Sequence, residues 1–293
     1  MRSSAQPAIL ATPSAHGASI VFQLRPGTDA KSSLAKLQQG FDPAWGVAGL
    51  GQPLMAALGK TVPGLHGFTA LSGPGCTSPA TQQALWFLLS SSDRSQVFNI
   101  TETLQALLAE AFVLDNAQDT FIYAGGRDLT GYEDGTENPK GDDAEVAALA
   151  TGEAGLQGSS FVAVQRWQHD LARFNAHPPE VRNAMIGRDK ESNDELEDAP
   201  ETAHVKRTAQ EDYEPPAFML RRSMPWIAGK DKGLEFIAFG HSLQAFEQVL
   251  QRMMGLEDGI VDALFDFSHP ITGGYYWCPP VKDGKLNLEL LGL

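Results

Sequence analysis

The chain has 293 residues, 42% hydrophobic and 20% charged, which suits a folded protein with a sizeable core. Its formal charge of -14 repels phosphate, arguing against nucleic acid and anionic membrane surfaces as partners and disfavouring anionic substrates at neutral pH. No stretch approaches the roughly eighteen apolar residues that a membrane-spanning helix needs.

Residues 1–16, rich in Ala, Ser and Pro, read as a flexible leader without the sustained apolar run of a secretory signal, so a cytoplasmic setting is expected. A strand is expected over 18–24. A helix capped by Asp29 follows to Phe41, with Leu34, Leu37 and Phe41 on one face. Residues 46–50 read as a short strand, a Gly/Pro-punctuated loop runs to Pro79, and 84–89 reads as a buried strand. Residues 97–112 carry a helical stripe of Ile100, Leu104, Leu107, Leu108 and Ala111. The second half repeats this kind of order. A strand over 160–167 puts Phe161, Ala163 and Gln165 on one face. Residues 169–186 read as one or two helices broken at Pro178 and Pro179, and 189–198 as an acidic exposed loop. Paired strands are expected at 217–222 and 234–239, helices at 242–254 and 258–267, and a closing strand at Tyr275, Tyr276 and Trp277. Strands interleaved with helices in each half point to an α+β architecture. Cys76 and Cys278 stand far apart with no Cys-x-x-Cys pair, so neither a thiolate zinc site nor a covalent haem attachment is expected, and a disulfide between them stays open.

The most informative stretch is Gly131-Tyr132-Glu133-Asp134-Gly135-Thr136-Glu137-Asn138-Pro139. Gly135 can take a positive φ, so Asp134 is expected on a tight turn with room beside its carboxylate, as proton transfer requires. An ordinary surface turn is the plainer reading of an isolated Asp-Gly. Further on come His204, in Ala-His-Val-Lys-Arg, and the run Leu220-Arg221-Arg222-Ser223-Met224-Pro225. On a strand Arg221 and Arg222 point to opposite faces, so one of them can enter a pocket.

These blocks, in this order, resemble the dye-decolorizing peroxidase family of haem enzymes. The family's Gly-x-x-Asp-Gly stands at 131–135, within a longer match from Arg127 to Pro139. The His followed by Leu-Arg-x-x-x-Pro stands at His204 and 220–225. Residues 161–171 and 270–276 also look like the family, and the compact length looks most like its bacterial B-type subgroup.

The resemblance implies two duplicated ferredoxin-like halves, 17–125 and 126–293, with antiparallel sheets, helices packed outside and a haem pocket in the C-terminal half. It implies one haem b per chain on His204. Asp262 or Asp266, one turn apart on the expected helix, would support the ligand, with Asp262 preferred. Asp134 would be the acid/base and Arg221 the cation that steadies peroxide, with the dominant partner undecided. Asp134 is expected beside Arg221 and ionised by it. Some relatives carry Asn two places after this arginine, where Ser223 stands here. Glu137 and Asn138 would line the pocket edge and Arg207 would meet a propionate, with solvated surface positions as the alternative for all three. Phe236, Phe239, Leu220 and Met224 would form apolar walls. Tyr132, Trp167, Tyr213, Trp226, Tyr275, Tyr276 and Trp277 are oxidisable side chains for electron relay or plain core residues.

The implied reaction is peroxide-driven oxidation of dyes and phenolic donors through a ferryl intermediate. A haem-handling protein with incidental peroxidase activity is the first alternative, and a ferredoxin-like binding module without haem the second. A homo-oligomer is expected. Some B-type relatives are packaged in encapsulin shells, but the C-terminal Lys-Leu-Asn-Leu-Glu-Leu-Leu-Gly-Leu is too short to read as a cargo tag.

Overall fold

A computed structural model describes residues 5–152 and 155–293, in the chain order that follows. The first half runs α1 (Pro7–Leu10), β1 (His16–Leu24), α2 (Ala30–Gly40), β2 (Gly46–Gly51), α3 (Gln52–Leu58), β3 (Leu71–Gly73), β4 (Cys76–Ser78), β5 (Leu85–Ser91), α4 (Arg94–Leu108) and β6 (Phe112–Phe121). Then come α5 (Asp142–Ala148), β7 (Ser160–His169), α6 (Leu171–Ala176), α7 (Pro179–Ile186) and α8 (His204–Arg207). The chain continues with β8 (Leu220–Arg221), β9 (Met224–Ala228), β10 (Asp231–Gly240), α9 (Gln244–Met253), β11 (Ser268–Pro270) and β12 (Gly274–Cys278). A hairpin, β13 (Val281–Lys282) and β14 (Lys285–Leu286), follows.

The sheet closes into a ring. Its order is β7-β12-β2-β5-β1-β6-β9-β10, and β10 pairs back onto β7 in an eight-pair antiparallel ladder from Gly233↔Gln168 to Gly240↔Phe161. The ring is two copies of one four-stranded pattern. In β2-β5-β1-β6 and again in β8/β9-β10-β7-β12, the first strand lies between the third and the fourth, as in a ferredoxin-like unit. The fourth strand of each half joins the second strand of the other, at Thr120↔Trp226 and at Tyr276↔Gly51.

Strand alternation then fixes two cores. Trp86 on β5 and Phe239 on β10 have three strands between them in either direction round the ring, yet their ring centroids lie 6.3 Å apart, so they meet across its interior. Val47, Leu88, Val162, Val164, Ile237 and Tyr276 join them there. The opposite face carries the larger core, where Leu34 and Leu37 of α2 and Leu104 and Leu108 of α4 cover Ile20, Phe22, Leu85 and Phe87. Both helices start at an aspartate: Asp29 accepts from the Lys31 amide at 2.9 Å and Asp93 from the Ser95 amide at 2.8 Å.

Several expectations are corrected here. Residues 5–16 are packed, not a free leader; residues 1–4 lie outside the described residues. Ile9 is fully buried, and the Gln6 amide stands in for a strand partner on β2, donating to Ala48 O at 2.9 Å and Pro279 O at 3.0 Å and accepting from Ala48 N at 2.7 Å. β6 and β9 were not expected. β6 reads Phe-Val-Leu-Asp-Asn-Ala-Gln-Asp-Thr-Phe and lacks apolar alternation. Its backbone pairing with β1, from His16↔Phe121 to Leu24↔Phe112, holds it in the sheet instead. The expected helix at 258–267 is a turn with a short 3-10 segment, Ala263–Asp266, because Gly255 and Gly259 take φ of +67° and +80°. Cys76 and Cys278 are buried free thiols.

Candidate functional site

An open-mouthed cavity of about 250 Å³ lies between the outer face of the second half of the ring and α9. Period-2 alternation aims Gln165, Trp167 and His169 of β7 and Leu234 and Phe236 of β10 into it. The amphipathic stripe of α9 faces them with Phe246, Val249, Leu250 and Met253. The 128–137 loop, α8 and the segment after it close the remaining sides with Asp134, Glu137, His204, Met219 and Arg221.

Asp134 sits in a loop built on two left-handed glycines. Gly131 has φ +88° and Gly135 φ +75°, and a Cβ on Gly135 would lie 2.8 Å from the Asn138 side chain. The loop folds back through Gly131 N to Asp128 O at 2.8 Å and Asp128 N to Tyr132 O at 2.9 Å. Asn138 ties it to β8. Its Oδ1 accepts from Arg221 N at 2.8 Å and its Nδ2 donates to Arg221 O at 3.1 Å, closing the free edge of a two-residue strand as a strand partner would. Asp134 and Arg221 therefore line one cavity, but no hydrogen bond or ion pair joins them. Asp134 was expected beside Arg221; the two share the cavity without a direct bond among the described residues. Arg221 Nε is buried with no acceptor among the described residues.

His204 opens α8 on the opposite wall. Its Nδ1 lies 2.7 Å from Asp262 Oδ2, and Asp262 is 1% exposed with its other oxygen accepting from Leu264 N at 2.8 Å. A carboxylate only accepts, so Nδ1 carries a proton, and in the neutral ring the lone pair is then on Nε2. Nε2 has no partner among the described residues. An imidazole in this state, backed by a carboxylate, is a ready donor to a metal centre. Asp266, the other carboxylate considered, is taken by Arg173 and by His177 at 3.0 Å. Those bonds hold its carboxyl below the ordinary carboxylate range against the opposing effect of partial burial.

Other expected site residues are placed elsewhere. Phe239 and Leu220 point into the ring interior, because they stand at odd spacing from Phe236 and Arg221. Met224 is buried against Thr120, and Met219 lines the cavity in its place. Ser223 does not line the cavity, and its Oγ accepts from the Ile237 amide at 3.2 Å. Arg207 does not line the cavity. It is buried and forks onto Asp258 with two 2.8 Å bonds. Asn138 acts on the Arg221 backbone rather than lining the wall. Glu137 does line it, with its carboxylate 2.7 Å from Arg188. Arg222 turns away, as alternation required, and donates to Ile9 O at 3.1 Å.

One cavity-lining cluster was not anticipated. His169 Nε2 lies 3.0 Å from Asp128 Oδ2 and its Nδ1 lies 2.7 Å from Ser268 Oγ. Thr130 donates to Asp128 Oδ1 from both Oγ1, at 2.6 Å, and N, at 2.8 Å. Burial works to raise the Asp128 carboxyl, but the bonds from His169 and Thr130 outweigh it and hold the group below its ordinary range. The signal was present in the sequence: extending the β7 alternation from Gln165 by two and four residues gives Trp167 and His169.

A sequence model of the family described as Dyp-type peroxidase, C-terminal, matches residues 125–283. The chain is 32% identical over 225 residues to a dye-decolorizing peroxidase of Mycolicibacterium paratuberculosis, covering 74% of this chain and 63% of that relative. It thus spans somewhat less than two thirds of that relative's length. Among solved structures, a DypB variant of Rhodococcus jostii RHA1 in complex with heme superposes with a TM-score of 0.86 at 27% identity, covering 93% of this chain and 95% of the other. A putative dyp-type peroxidase protein from Shewanella oneidensis gives 0.90 at 24% identity, covering 99% and 98%, and speaks for the fold alone.

Proposed function

The chain belongs to the Dyp-type peroxidase family, and we propose that it is a haem b peroxidase that uses hydrogen peroxide to oxidise organic donors such as dyes and phenolic compounds. The observation that carries this reading is the pairing of His204 Nδ1 with buried Asp262 at 2.7 Å, which leaves Nε2 free to face a cavity with apolar walls. A single imidazole supplies one ligand, which would suit iron whose other, protein-independent ligands come from a macrocycle. Phe236, Phe246, Val249, Leu250 and Met253 would flank such a macrocycle, and His204 would hold its iron. When bound, haem supplies the redox-active iron that takes up oxidising equivalents from peroxide and passes them to the donor.

The chain's own residues handle protons and charge. The Asp134 carboxylate would take a proton from one peroxide oxygen and return it to the other, which leaves as water. The Arg221 guanidinium is cationic at every relevant pH and would steady the negative charge that develops on peroxide. Its buried, unpartnered Nε supports that use, since a charged group left without an acceptor is costly unless a ligand meets it. The Asn138 amide would keep the arginine aimed by fixing its backbone. Asp128 and His169 would stiffen the loop that carries Asp134. A cytoplasmic, homo-oligomeric protein completes the reading.

The test is the absorption spectrum of the haem-loaded protein before and after one equivalent of hydrogen peroxide. The reading requires a rapid, stoichiometric spectral change that a donor dye reverses. A spectrum that peroxide leaves untouched would contradict it.

A further inference from the structure

We infer that the Arg207–Asp258 ion pair is a positioning device for the His204–Asp262 pair, setting how tightly that carboxylate grips the imidazole; this rests on His204 being the haem ligand. The geometry is that of a two-level clamp. His204 and Arg207 stand three residues apart on α8, so they share one side of a single helical turn. Asp262 and Asp258 stand four apart on the facing segment. The pairs run antiparallel, His204 with Asp262 and Arg207 with Asp258.

Both terminal nitrogens of Arg207 are engaged, while its buried Nε has no acceptor among the described residues. Nη1 donates to Asp258 Oδ2 at 2.8 Å, and Nη2 donates to Asp258 Oδ1 at 2.8 Å and to Arg252 O at 2.7 Å. One guanidinium therefore pins both the turn and the C-terminal end of α9. Asp258 Oδ1 also accepts from Ile260 N at 2.9 Å, which shapes the turn leading to Asp262. Tyr213 Oη donates to Arg207 O at 2.7 Å, and the Arg252 guanidinium lies 3.6 Å from the Tyr213 ring centroid, bracing α8 from behind.

The segment needs such a clamp. It contains Gly255 and Gly259, both at positive φ, and has no regular helix to hold Asp262 in place. Backbone support comes from Asp262 N to Met253 O at 2.8 Å and Ala263 N to Thr202 O at 2.7 Å. The Arg207–Asp258 pair adds a second side-chain contact between this turn and α8, beside His204–Asp262. A bidentate arginine–carboxylate pair fixes orientation as well as distance, which a lysine cannot do.

The experiment compares Asp258→Asn and Arg207→Lys with wild type and with Asp262→Asn. Two readouts are used: the Nδ1 proton resonance of His204 in the haem-free protein, and the ferric/ferrous midpoint potential and iron–histidine stretching frequency of the haem-loaded protein. A tighter carboxylate grip makes the imidazole a stronger donor, which lowers the potential and raises the stretching frequency. Both clamp variants should move all three readouts in the same direction as Asp262→Asn, by a smaller amount. The haem-free resonance reads the clamp whether or not His204 ligates haem, so a failure of the ligand assignment is separable from a failure of the clamp. Thermal melting follows each variant. Asp258 is 40% exposed, so Asp258→Asn keeps the test open if Arg207→Lys unfolds. Wild-type resonance, potential and stretching frequency in a folded Asp258→Asn protein, alongside shifted values in Asp262→Asn, would overturn the proposal.

Discussion

Asn138→Ala removes a side chain that lies outside the cavity wall, yet it should weaken the site. Asn138 makes two hydrogen bonds to the Arg221 backbone, at 2.8 and 3.1 Å, along the free edge of β8. β8 has two residues and two ladder partners on β10, Ala238 and Phe239, and just before it the Met219 amide donates to Gln210 Oε1 at 2.9 Å. Each neutral hydrogen bond contributes about 1 kcal/mol net, giving roughly 2 kcal/mol for the pair. If that loss falls on the placement of Arg221 in the transition state, the peroxide step slows by roughly thirtyfold. Asn138→Asp keeps the acceptor for Arg221 N and loses the donor to Arg221 O, so about half the free-energy loss is expected. Stopped-flow mixing of the haem-loaded proteins with peroxide measures the rate, and haem content confirms equal loading. Wild-type rate and wild-type melting in Asn138→Ala would refute the idea that this amide aims the arginine.

The distal residues themselves give larger effects. Arg221→Leu removes the charge proposed to meet the developing anion and should slow peroxide cleavage by about a hundredfold or more. Asp134→Asn keeps the shape without the proposed base and should cost roughly a hundredfold to ten-thousandfold, read in the same stopped-flow assay. The Asp128 carboxyl is held below its ordinary range, so its share of stability is present above the unfolded value of about 3.9 and is lost as pH falls through the folded value. Melting curves of wild type and Asp128→Asn should therefore converge as pH is lowered from 5 towards 2; a constant gap would show that the carboxylate charge plays no part. With a formal charge of -14, the surface repels anionic dyes at neutral pH. Turnover of an anionic dye should rise on mild acidification and with added salt, while a cationic dye of similar potential gains less; matching profiles would remove surface charge as a control of access.

The parts of the fold that were legible in the sequence are those whose burial is periodic. β7 announces itself through Phe161, Ala163 and Gln165, and α4 through Leu104 and Leu108. β6 was hidden because it carries Asp115, Asn116, Gln118 and Asp119, and backbone pairing, which composition does not report, holds it in the ring. The bend at 258–262 was hidden because Asp-Ala-Leu-Phe-Asp is spaced like a helix, whereas the preceding glycines set a turn. Among site residues, alternation separates Phe236 from Phe239 and Met219 from Leu220, and period 2 alone predicts those separations. The Arg207 fork onto Asp258 depends on two segments meeting in space, which no local pattern reports. His169 was reachable by extending β7, but its partner Asp128 lies 41 residues away in the Gly-rich loop.

The central claim is that His204 Nε2 is the ligand on which the site is built. Haem titration of wild type and His204→Ala, followed by the Soret band and by electron paramagnetic resonance of the ferric protein, tests it directly. Wild type should bind one haem per chain with a histidine-ligated signature. His204→Ala should lose that signature, and added imidazole should restore it by entering the space beside Asp262. A His204→Ala protein that binds haem with the wild-type signature in the absence of imidazole would contradict the account.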